Sequence, residues 1–270
     1  MNELKVNLSD CMLGNVLSKD VLSHNGLKLE EKNNSINNFI KYKLIKLGVQ
    51  IIWIYDASGW EYVNIQKADH HKMKVCYKEC IISLQTIFED LNQAKPFEFS
   101  KLINISKLIY KNINNVDCIL KYLHEIKEDK NQYTLFHSIN VSFYAMLIGK
   151  WLSMPKAKIL DLILAGLFHD IGKLRIPKHI LNKEGSLTTE EFEIMKGHTT
   201  LGYDLIKNLI GLNQDIKKSI LMHHERIDGT GYPNGVTGDS IGEYERIIAI
   251  ADIYDAMTTN RVYKKRVNPF

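Results

Sequence analysis

The chain has 270 residues, of which 45% are hydrophobic and 24% charged, and its formal net charge is +4. This length allows one large or two modest domains with packed cores, and the composition is typical of globular proteins. So mild a charge does not indicate nucleic-acid binding, although it permits an anionic ligand. The arginines all lie in the last hundred residues, and a guanidinium group suits recognition of phosphate or carboxylate.

The cysteines and the apolar runs indicate a cytoplasmic protein without a membrane segment. All four cysteines precede residue 120, and none forms a CxxC pair. Buried thiols explain them better than a metal site does, and free thiols fit a reducing compartment. The polar N-terminus predicts no secretory signal, and the longest apolar runs, IIWIY and ILDLILAGLF, are too short to span a bilayer.

The first part of the chain, residues 1–65, predicts a small α+β module. The Asn25–Gly26 pair lies between short apolar runs, which is a hairpin signal. Apolar residues then recur at helical spacing from Ile36 onwards, and Gly48 provides a typical helix end. The run VQIIWIYD predicts a buried strand. No residue of this module stands out as catalytic.

The middle of the chain, residues 66–125, is assigned to connecting helices. One helix is expected over residues 67–95, where Pro96 ends it, and a second over residues 99–127. The simplest role of both helices is to connect and to pack.

The remainder, residues 126–270, is assigned to a C-terminal helical domain. Thr188 and Glu191 form a capping-box signal at the start of a helix that is expected to run to residue 210. The predicted fold is therefore mainly α, with a helical bundle in the C-terminal half preceded by the small α+β module and the connecting helices.

The stretch FHDIGK places His169 and Asp170 at the end of an apolar helix. Burying an ionised aspartate there is costly unless positive charge neutralises it, and either a metal ion or Lys173 can supply that charge. Considered alone, the pair is better explained by an aspartate that caps the next turn beside an uninvolved histidine.

Further candidate ligands lie on other helices that must pack together. Each of them, taken singly, is explained at least as well by a hydrogen-bonded core histidine or a buried ion pair. Together with His169 and Asp170 they offer five histidines and two aspartates, a ligand set that suits iron, manganese or zinc. Seven ligands fit two ions, and an aspartate can bridge two ions with its two oxygens, for which Asp170 is the natural candidate. The further candidates are His137, His198 within a predicted helix, the adjacent His223 and His224, and Asp252.

The order H…HD…H…HH…D resembles that of the HD superfamily of metal-dependent phosphohydrolases. The stretches HDIGK, HHERIDGTGYP and ADIYDAMTTNRVY look like those of its HD-GYP subfamily, the bacterial phosphodiesterases of cyclic di-GMP. The resemblance covers about residues 125–270. It implies an HD-type helical bundle that hydrolyses cyclic di-GMP to pGpG, with GMP as a further product.

The resemblance also implies a role for individual residues. Asp170 would bridge two metal ions, expected to be iron or else manganese, with zinc taken up on purification. Lys173 would contact the phosphate under attack, and with Asp170 it forms the expected catalytic pair. One ion would be held by His137, His169, Asp170 and Asp252, and the other by Asp170, His198, His223 and His224. The expected substrate contacts are Lys173, Tyr232, Arg261, Tyr263 and Lys264.

The sequence departs from the family pattern in two places. Tyr133 stands where some members have a glutamate that helps to bind a third metal, so two metals are expected. Family domains usually continue as further helices, whereas this chain stops at Phe270. An apolar face left uncovered there could promote oligomerisation, and a homodimer is among the expected partners.

The chemistry of a two-metal site agrees with this assignment. Two ions about 3.5–4 Å apart can hold a bridging hydroxide and neutralise charge in an in-line displacement at phosphorus. The alternative is a non-catalytic sensor of cyclic dinucleotides, or a scaffold for signalling proteins such as those with GGDEF domains. A nucleotidase is disfavoured by the complete GYP loop. The sequence does not separate cyclic di-GMP from the hybrid cyclic GMP-AMP.

Overall fold

Among the described residues before Gly59, the chain forms two small antiparallel sheets and one helix. The computed structural model describes residues 3–23, 25–55, 59–93, 95, 98–126 and 132–258, with the side chains of residues 59–69 outside the description. The chain divides into two compact units, Met1–Lys72 and Met73–Phe270. In the first unit, β1 (Glu3–Asn7) pairs with β4 (Ile51–Tyr55), β2 (Val21–Leu22) pairs with β3 (Lys28–Glu30), and the helix is α1 (Asn38–Lys46).

The predicted α+β module is thereby confirmed, including its hairpin and its helix. Gly26 lies in the β2–β3 turn with a φ of +77°, and Gly48 follows α1 with a φ of +75°, a conformation that glycine adopts without strain. The predicted buried strand is only half buried, because β4 belongs to a two-stranded sheet that is covered on one face. Ile52 and Ile54 are buried, whereas Ile51 is exposed.

Three helices open the second part of the chain: α2 (Gly59–Asn92), α3 (Phe99–Tyr110) and α4 (Val116–Glu125). The prediction of one helix over 99–127 is wrong, because an asparagine-rich turn separates α3 from α4. The Asn112 side chain donates to the Leu108 carbonyl at 3.1 Å, and the Asn112 carbonyl accepts from the Asn115 N–H. Such local hydrogen bonds compete with continuation of a helix.

The predicted C-terminal helices are present. From Met73 onwards, apolar residues of α2, α3 and α4 share one buried core with these helices. The mainly α fold is therefore confirmed, and no helix of the described residues is long and apolar enough to cross a bilayer. The helices are α5 (Tyr133–Trp151), α6 (Lys156–Phe168), α7 (Lys178–Leu181), α8 (Thr189–Lys196), α9 (His198–Ile206), α10 (Gln214–Met222) and α11 (Glu243–Thr258).

Helices α5 and α6 form the centre of this core and approach each other closely. A Cβ added to Gly166 of α6 would lie 2.8 Å from the Cα of Ser142 on α5, so the pairing requires glycine. The Ser142 hydroxyl also donates to the Ile163 carbonyl at 3.1 Å. The close approach fixes the ends of both helices, where the candidate ligands lie.

A bend at Gly197 corrects the prediction of one helix from Thr188 to residue 210. Helix α8 begins at the predicted capping box, where Glu191 accepts from the Thr188 N–H at 2.7 Å and donates its own N–H to Thr188 at 3.2 Å. The helix ends at Lys196, and α9 begins at His198. His198 therefore stands at a helix start instead of within a helix.

Candidate metal centre and substrate pocket

All seven predicted ligands converge on one buried place in the second unit. Helix α5 carries His137, the end of α6 carries His169 and Asp170, and α11 carries Asp252. His198 begins α9, while His223 and His224 directly follow α10. His224 is half buried and the other six are buried, which is unusual for so many ionisable groups.

Asp170 lies between two groups of histidines. Its Oδ2 atom is 3.3 Å from His169 Nε2 and 3.5 Å from His137 Nε2. Its Oδ1 atom is 3.4 Å from His198 Nε2, is fully buried, and makes no hydrogen bond to any described residue. A buried carboxylate oxygen without a hydrogen bond is costly, and a cation at this point would satisfy it.

The donor atoms form two sets that are each compact enough to hold an ion. Within each set the donor atoms lie within 4.8 Å of one another. Asp252 lies beside both sets, with Oδ1 3.0 Å from His137 Nε2 and Oδ2 4.0 Å from His224 Nδ1. The first set is His137, His169 and Asp170, and the second is His198, His223 and His224.

Backbone carbonyls fix which ring nitrogen of three histidines faces the centre. Nδ1 of His169, His198 and His223 lies 2.8, 2.7 and 2.9 Å from the carbonyl oxygen three residues earlier. A carbonyl oxygen only accepts, so Nδ1 carries the proton and Nε2 presents its lone pair. This arrangement is the usual support of a metal-binding imidazole.

Burial keeps the second set of histidines uncharged. It lowers the pKa of His198 to about 4 and that of His224 to about 3, and it holds the pKa of His223 well below the usual range. His198 Nε2 and His223 Nε2 are nevertheless only 3.4 Å apart. Two lone pairs that face each other so closely repel, and a shared cation would turn this repulsion into attraction. The donor set therefore fits a divalent metal ion.

The first set contains the ionised groups. Burial lowers the pKa of His137, but hydrogen bonds with Asp252 and Asp255 outweigh this and raise it to about 10. Burial likewise disfavours the charged form of Asp170, yet the Lys173 ammonium group holds its pKa well below the usual value. The carboxylates are thus available as anionic ligands near neutral pH.

Lys173 reaches the centre from a short turn that follows Asp170. Its Nζ atom lies 2.5 Å from Asp170 Oδ2, and the side chain is 20% exposed. The turn can pack here because residue 172 is glycine. A Cβ at Gly172 would overlap the carbonyl oxygen of His198, so any side chain would force the turn away from α9.

The loop that contains the GYP residues is held by a glutamate that sequence reasoning missed. The buried Glu225 carboxylate accepts the N–H of Asn234 at 2.7 Å and that of Val236 at 3.2 Å. The loop folds back so that the Tyr232 ring stacks on His224, with centroids 4.7 Å apart. Gly231 is required because a Cβ there would overlap the backbone of Arg226. The only sequence signal for Glu225 was its position directly after two histidines.

A cavity of about 600 Å³ connects the cluster with the GYP loop. Its lining includes the cations Lys173, Lys196 and Arg226 and the aromatic rings of Phe192 and Tyr232. Lys196 Nζ lies 5.5 Å from the Phe192 ring and 5.8 Å from the Tyr232 ring. Sequence reasoning did not single out Lys196 or Phe192, because a lysine and an aromatic residue on an amphipathic helix carry no distinctive pattern.

One wall of the cavity is apolar and comes from α11. Ala249, Ile253, Ala256 and Met257 line it on the same helix that carries Asp252. The cavity therefore combines the carboxylate of the candidate ligand Asp252, cationic side chains and an apolar wall. The predicted substrate contacts Arg261, Tyr263 and Lys264 lie outside the described residues.

Known proteins with similar sequences match about half of this chain. A cyclic di-GMP phosphodiesterase of Pseudomonas aeruginosa is 39% identical over 138 residues, which are 51% of this chain and 33% of that protein. A 3'3'-cGAMP-specific phosphodiesterase of Vibrio cholerae is 37% identical over 149 residues, which are 55% of this chain and 32% of that protein. The chain thus spans about a third of the length of these two relatives.

A solved structure shows that the fold is shared over more of the chain. The HDG"Y"P protein Bd1817 of Bdellovibrio bacteriovorus superimposes with a TM-score of 0.59 at 15% identity, over 97% of this chain and 90% of that one. The HD domain model matches residues 121–269, which include every predicted ligand. The resemblance found in the sequence is confirmed, and the chain belongs to the HD-domain family, whose divalent-metal site its clustered histidines and aspartates fit.

Proposed function

We propose that this chain is a metal-dependent phosphodiesterase that hydrolyses cyclic di-GMP to pGpG, with GMP as a further product. The observation that carries the proposal is the position of Asp170, whose two oxygens face two separate sets of histidines beside a cation-lined cavity. The relatives named as phosphodiesterases of cyclic dinucleotides support the choice of substrate.

The proposed cofactor is a pair of divalent ions held by the seven converging residues. The chemistry that such a pair supplies is activation of water and neutralisation of charge on the phosphoryl oxygens. Mixed imidazole and carboxylate ligands suit iron first and manganese second, and zinc is expected to enter on purification. The proposed ligands are His137, His169, Asp170 and Asp252 for one ion and Asp170, His198, His223 and His224 for the other.

The cationic side chains of the cavity are proposed to bind the two phosphates. Lys173 is adjacent to Asp170 and would bind an oxygen of the phosphate under attack, which stabilises the developing charge. Arg226 and Lys196 also line the cavity and would bind the second phosphate. Burial and nearby carboxylates raise the pKa of Tyr232, so its hydroxyl remains protonated and can donate a hydrogen bond to substrate.

The apolar wall and Phe192 are proposed to receive the nucleobases. Phe192 is 48% exposed although it borders the cavity, which leaves its ring face available for stacking. Ile253 and Met257 add apolar side chains to the lining of the same cavity. Arg261, Tyr263 and Lys264 remain proposed contacts of the phosphates or guanine.

The other predictions remain proposals. These are a cytoplasmic location, the domain assignment of 1–65, 66–125 and 126–270, a homodimer, and GGDEF-type partners. The rival function, a non-catalytic sensor or scaffold on the same fold, is less favoured because all seven predicted ligands are present and converge.

A hydrolysis assay tests the proposal directly. The protein is loaded anaerobically with Fe(II), Mn(II) or Zn(II) and incubated with cyclic di-GMP, 3'3'-cGAMP and cyclic di-AMP, and the products are separated by chromatography. We expect pGpG from cyclic di-GMP with Fe(II) or Mn(II). Protein that holds two ions and binds cyclic di-GMP but leaves it intact would support the sensor instead.

A further inference from the structure

One candidate ligand, His137, is oriented in a different way from its neighbours. Nδ1 of His169, His198 and His223 is held by a backbone carbonyl of the residue three positions earlier. In contrast, His137 Nδ1 lies 2.6 Å from Oδ2 of Asp255, which is on α11. The orientation of this imidazole therefore depends on a side chain from another helix.

The hydrogen bonds continue beyond Asp255. Its other oxygen, Oδ1, accepts from Asn140 Nδ2 at 2.9 Å, and Asn140 Oδ1 accepts from the Tyr77 hydroxyl at 2.6 Å. Tyr77 is on α2, Asn140 is on α5, and all the participants are at most 1% exposed. The amide of Asn140 is fixed in one orientation, because it donates on one side and accepts on the other.

We infer that Tyr77, Asn140 and Asp255 form a positioning relay that holds His137 for the first of the two proposed metal ions. A carboxylate bonded to the outer nitrogen of a metal-binding imidazole fixes its tautomer and increases its basicity. Hydrogen bonds in a fully buried chain also strengthen one another. The inference rests on the proposed metal function, and it assigns the relay to one ion only.

The relay also connects the metal centre to α2. The Tyr77 ring packs against Tyr122, Phe136 and Phe143, with centroids 5.4, 5.9 and 6.3 Å away, so its hydroxyl has little freedom to move. A displacement of α2 at this point would therefore alter the bond to Asn140 and, through Asp255, the support of His137. Of the residues proposed for the second ion, His198 and His223 are instead held by their own backbone.

The test measures binding of Mn(II) to the full chain, by titration calorimetry and by electron paramagnetic resonance. The variants are Asp255→Asn and Tyr77→Phe. Their matched controls are Asp161→Asn, a half-buried acid that accepts from Asn213 at 2.7 Å, and Tyr254→Phe, a partly buried tyrosine of α11 outside the relay. Because Tyr77→Phe retains the packed ring, it isolates the hydroxyl even if Asp255→Asn folds poorly.

Wild type is expected to bind two ions with a spin-coupled signal. Asp255→Asn should lose affinity for one ion by about 10- to 100-fold, leaving an uncoupled signal from the second. Tyr77→Phe should weaken the same ion less, and should have a smaller effect in the Asp255→Asn background, because the two residues act in one chain.

Three results would overturn the inference. In the first, Asp255→Asn and Tyr77→Phe bind both ions with wild-type affinity. In the second, the affinity for both ions falls equally in the relay variants and in the control Asp161→Asn. Either result would contradict the relay without contradicting the metal centre. Wild type that binds no Mn(II), Fe(II) or Zn(II) would contradict the metal centre itself and the relay with it.

Discussion

The two units of the chain differ in where they place charged side chains. Among the described residues of the first unit, the buried cluster is formed by apolar side chains and one cysteine, and ion pairs such as Lys19–Glu3 have side chains 48% and 34% exposed. The second unit buries histidines, aspartates and glutamates beside one another. Apolar burial stabilises a fold, whereas buried ionisable groups are costly unless they are paired. The second unit therefore contains the buried ionisable groups that can carry out chemistry, and burying them lowers its stability.

The largest effect that distinguishes the units should come from Asp170→Ala. Because both oxygens of this carboxylate face histidines, we expect loss of both metal ions and a fall in turnover of more than about 10³-fold. Metal analysis and the hydrolysis assay measure the two effects. Asp204→Ala, at an exposed ion pair of the same unit, is the control and should behave as wild type. If Asp170→Ala retained both ions, the buried carboxylate of the second unit would not be needed to hold them, and the contrast between the units would not extend to metal binding.

A smaller effect is expected for Lys173→Met, which removes an ammonium group but no metal ligand. Turnover should fall about 10²- to 10³-fold, since one group that stabilises developing charge is lost. Metal content should stay at the wild-type value, which separates this variant from Asp170→Ala. The exposed Lys207→Met serves as the control. A loss of metal in parallel with turnover would mean that Lys173 supports the centre instead of the substrate.

Glu225→Gln should act on substrate binding alone. The two N–H groups of Asn234 and Val236 bond to different oxygens of the carboxylate, whereas the amide keeps only one oxygen, so one N–H loses its acceptor and the other bonds to a neutral group. We expect KM for cyclic di-GMP to rise about tenfold, corresponding to about 1.4 kcal/mol, with metal content unchanged. Steady-state kinetics measure this, with the exposed Glu243→Gln as control. An unchanged KM would contradict a role of the glutamate in holding the loop.

Leu44→Ala should have the smallest effect on turnover and a clear effect on stability. Leu44 is fully buried in the first unit, so its truncation should lower the free energy of unfolding of that unit by about 2–5 kcal/mol. Turnover per folded molecule should not change. Lys19→Ala, which breaks an exposed ion pair, is the matched control and should alter stability by less than about 1 kcal/mol. A large fall in turnover in Leu44→Ala would show that the first unit participates in catalysis.

Apolar periodicity predicted the helical class, and the HD-type bundle was implied by the family resemblance. Each candidate ligand had an ordinary explanation when taken singly, and only their number on segments that must pack together indicated a metal site, which remains a prediction. Helix breaks were missed at Gly197 and near Asn112, because local hydrogen bonds and tertiary packing overrode an apolar spacing that continued across them.

Sequence reasoning singled out Asp252 of α11 but did not assign a role to Asp255. Asp252 and Asp255 are three residues apart on one helix, and both contact the same imidazole. Asp252 lies 3.0 Å from Nε2 of His137, whereas Asp255 lies 2.6 Å from Nδ1. Which carboxylate faces Nε2 and which faces Nδ1 depends on the rotation of α11 against α5, and residue types do not encode that rotation. Glu225 was missed for a similar reason, since its partners are backbone N–H groups.

The contact of Gly172 with α9 gives the centre a fixed internal dimension. Because the turn after Asp170 lies directly against the His198 carbonyl, the gap between the two histidine sets is determined by backbone touching backbone. Side-chain rotamers can adjust a ligand, but they cannot alter that gap. Two ions held by these histidine sets would therefore have a spacing that the main chain sets, whichever divalent metal was bound.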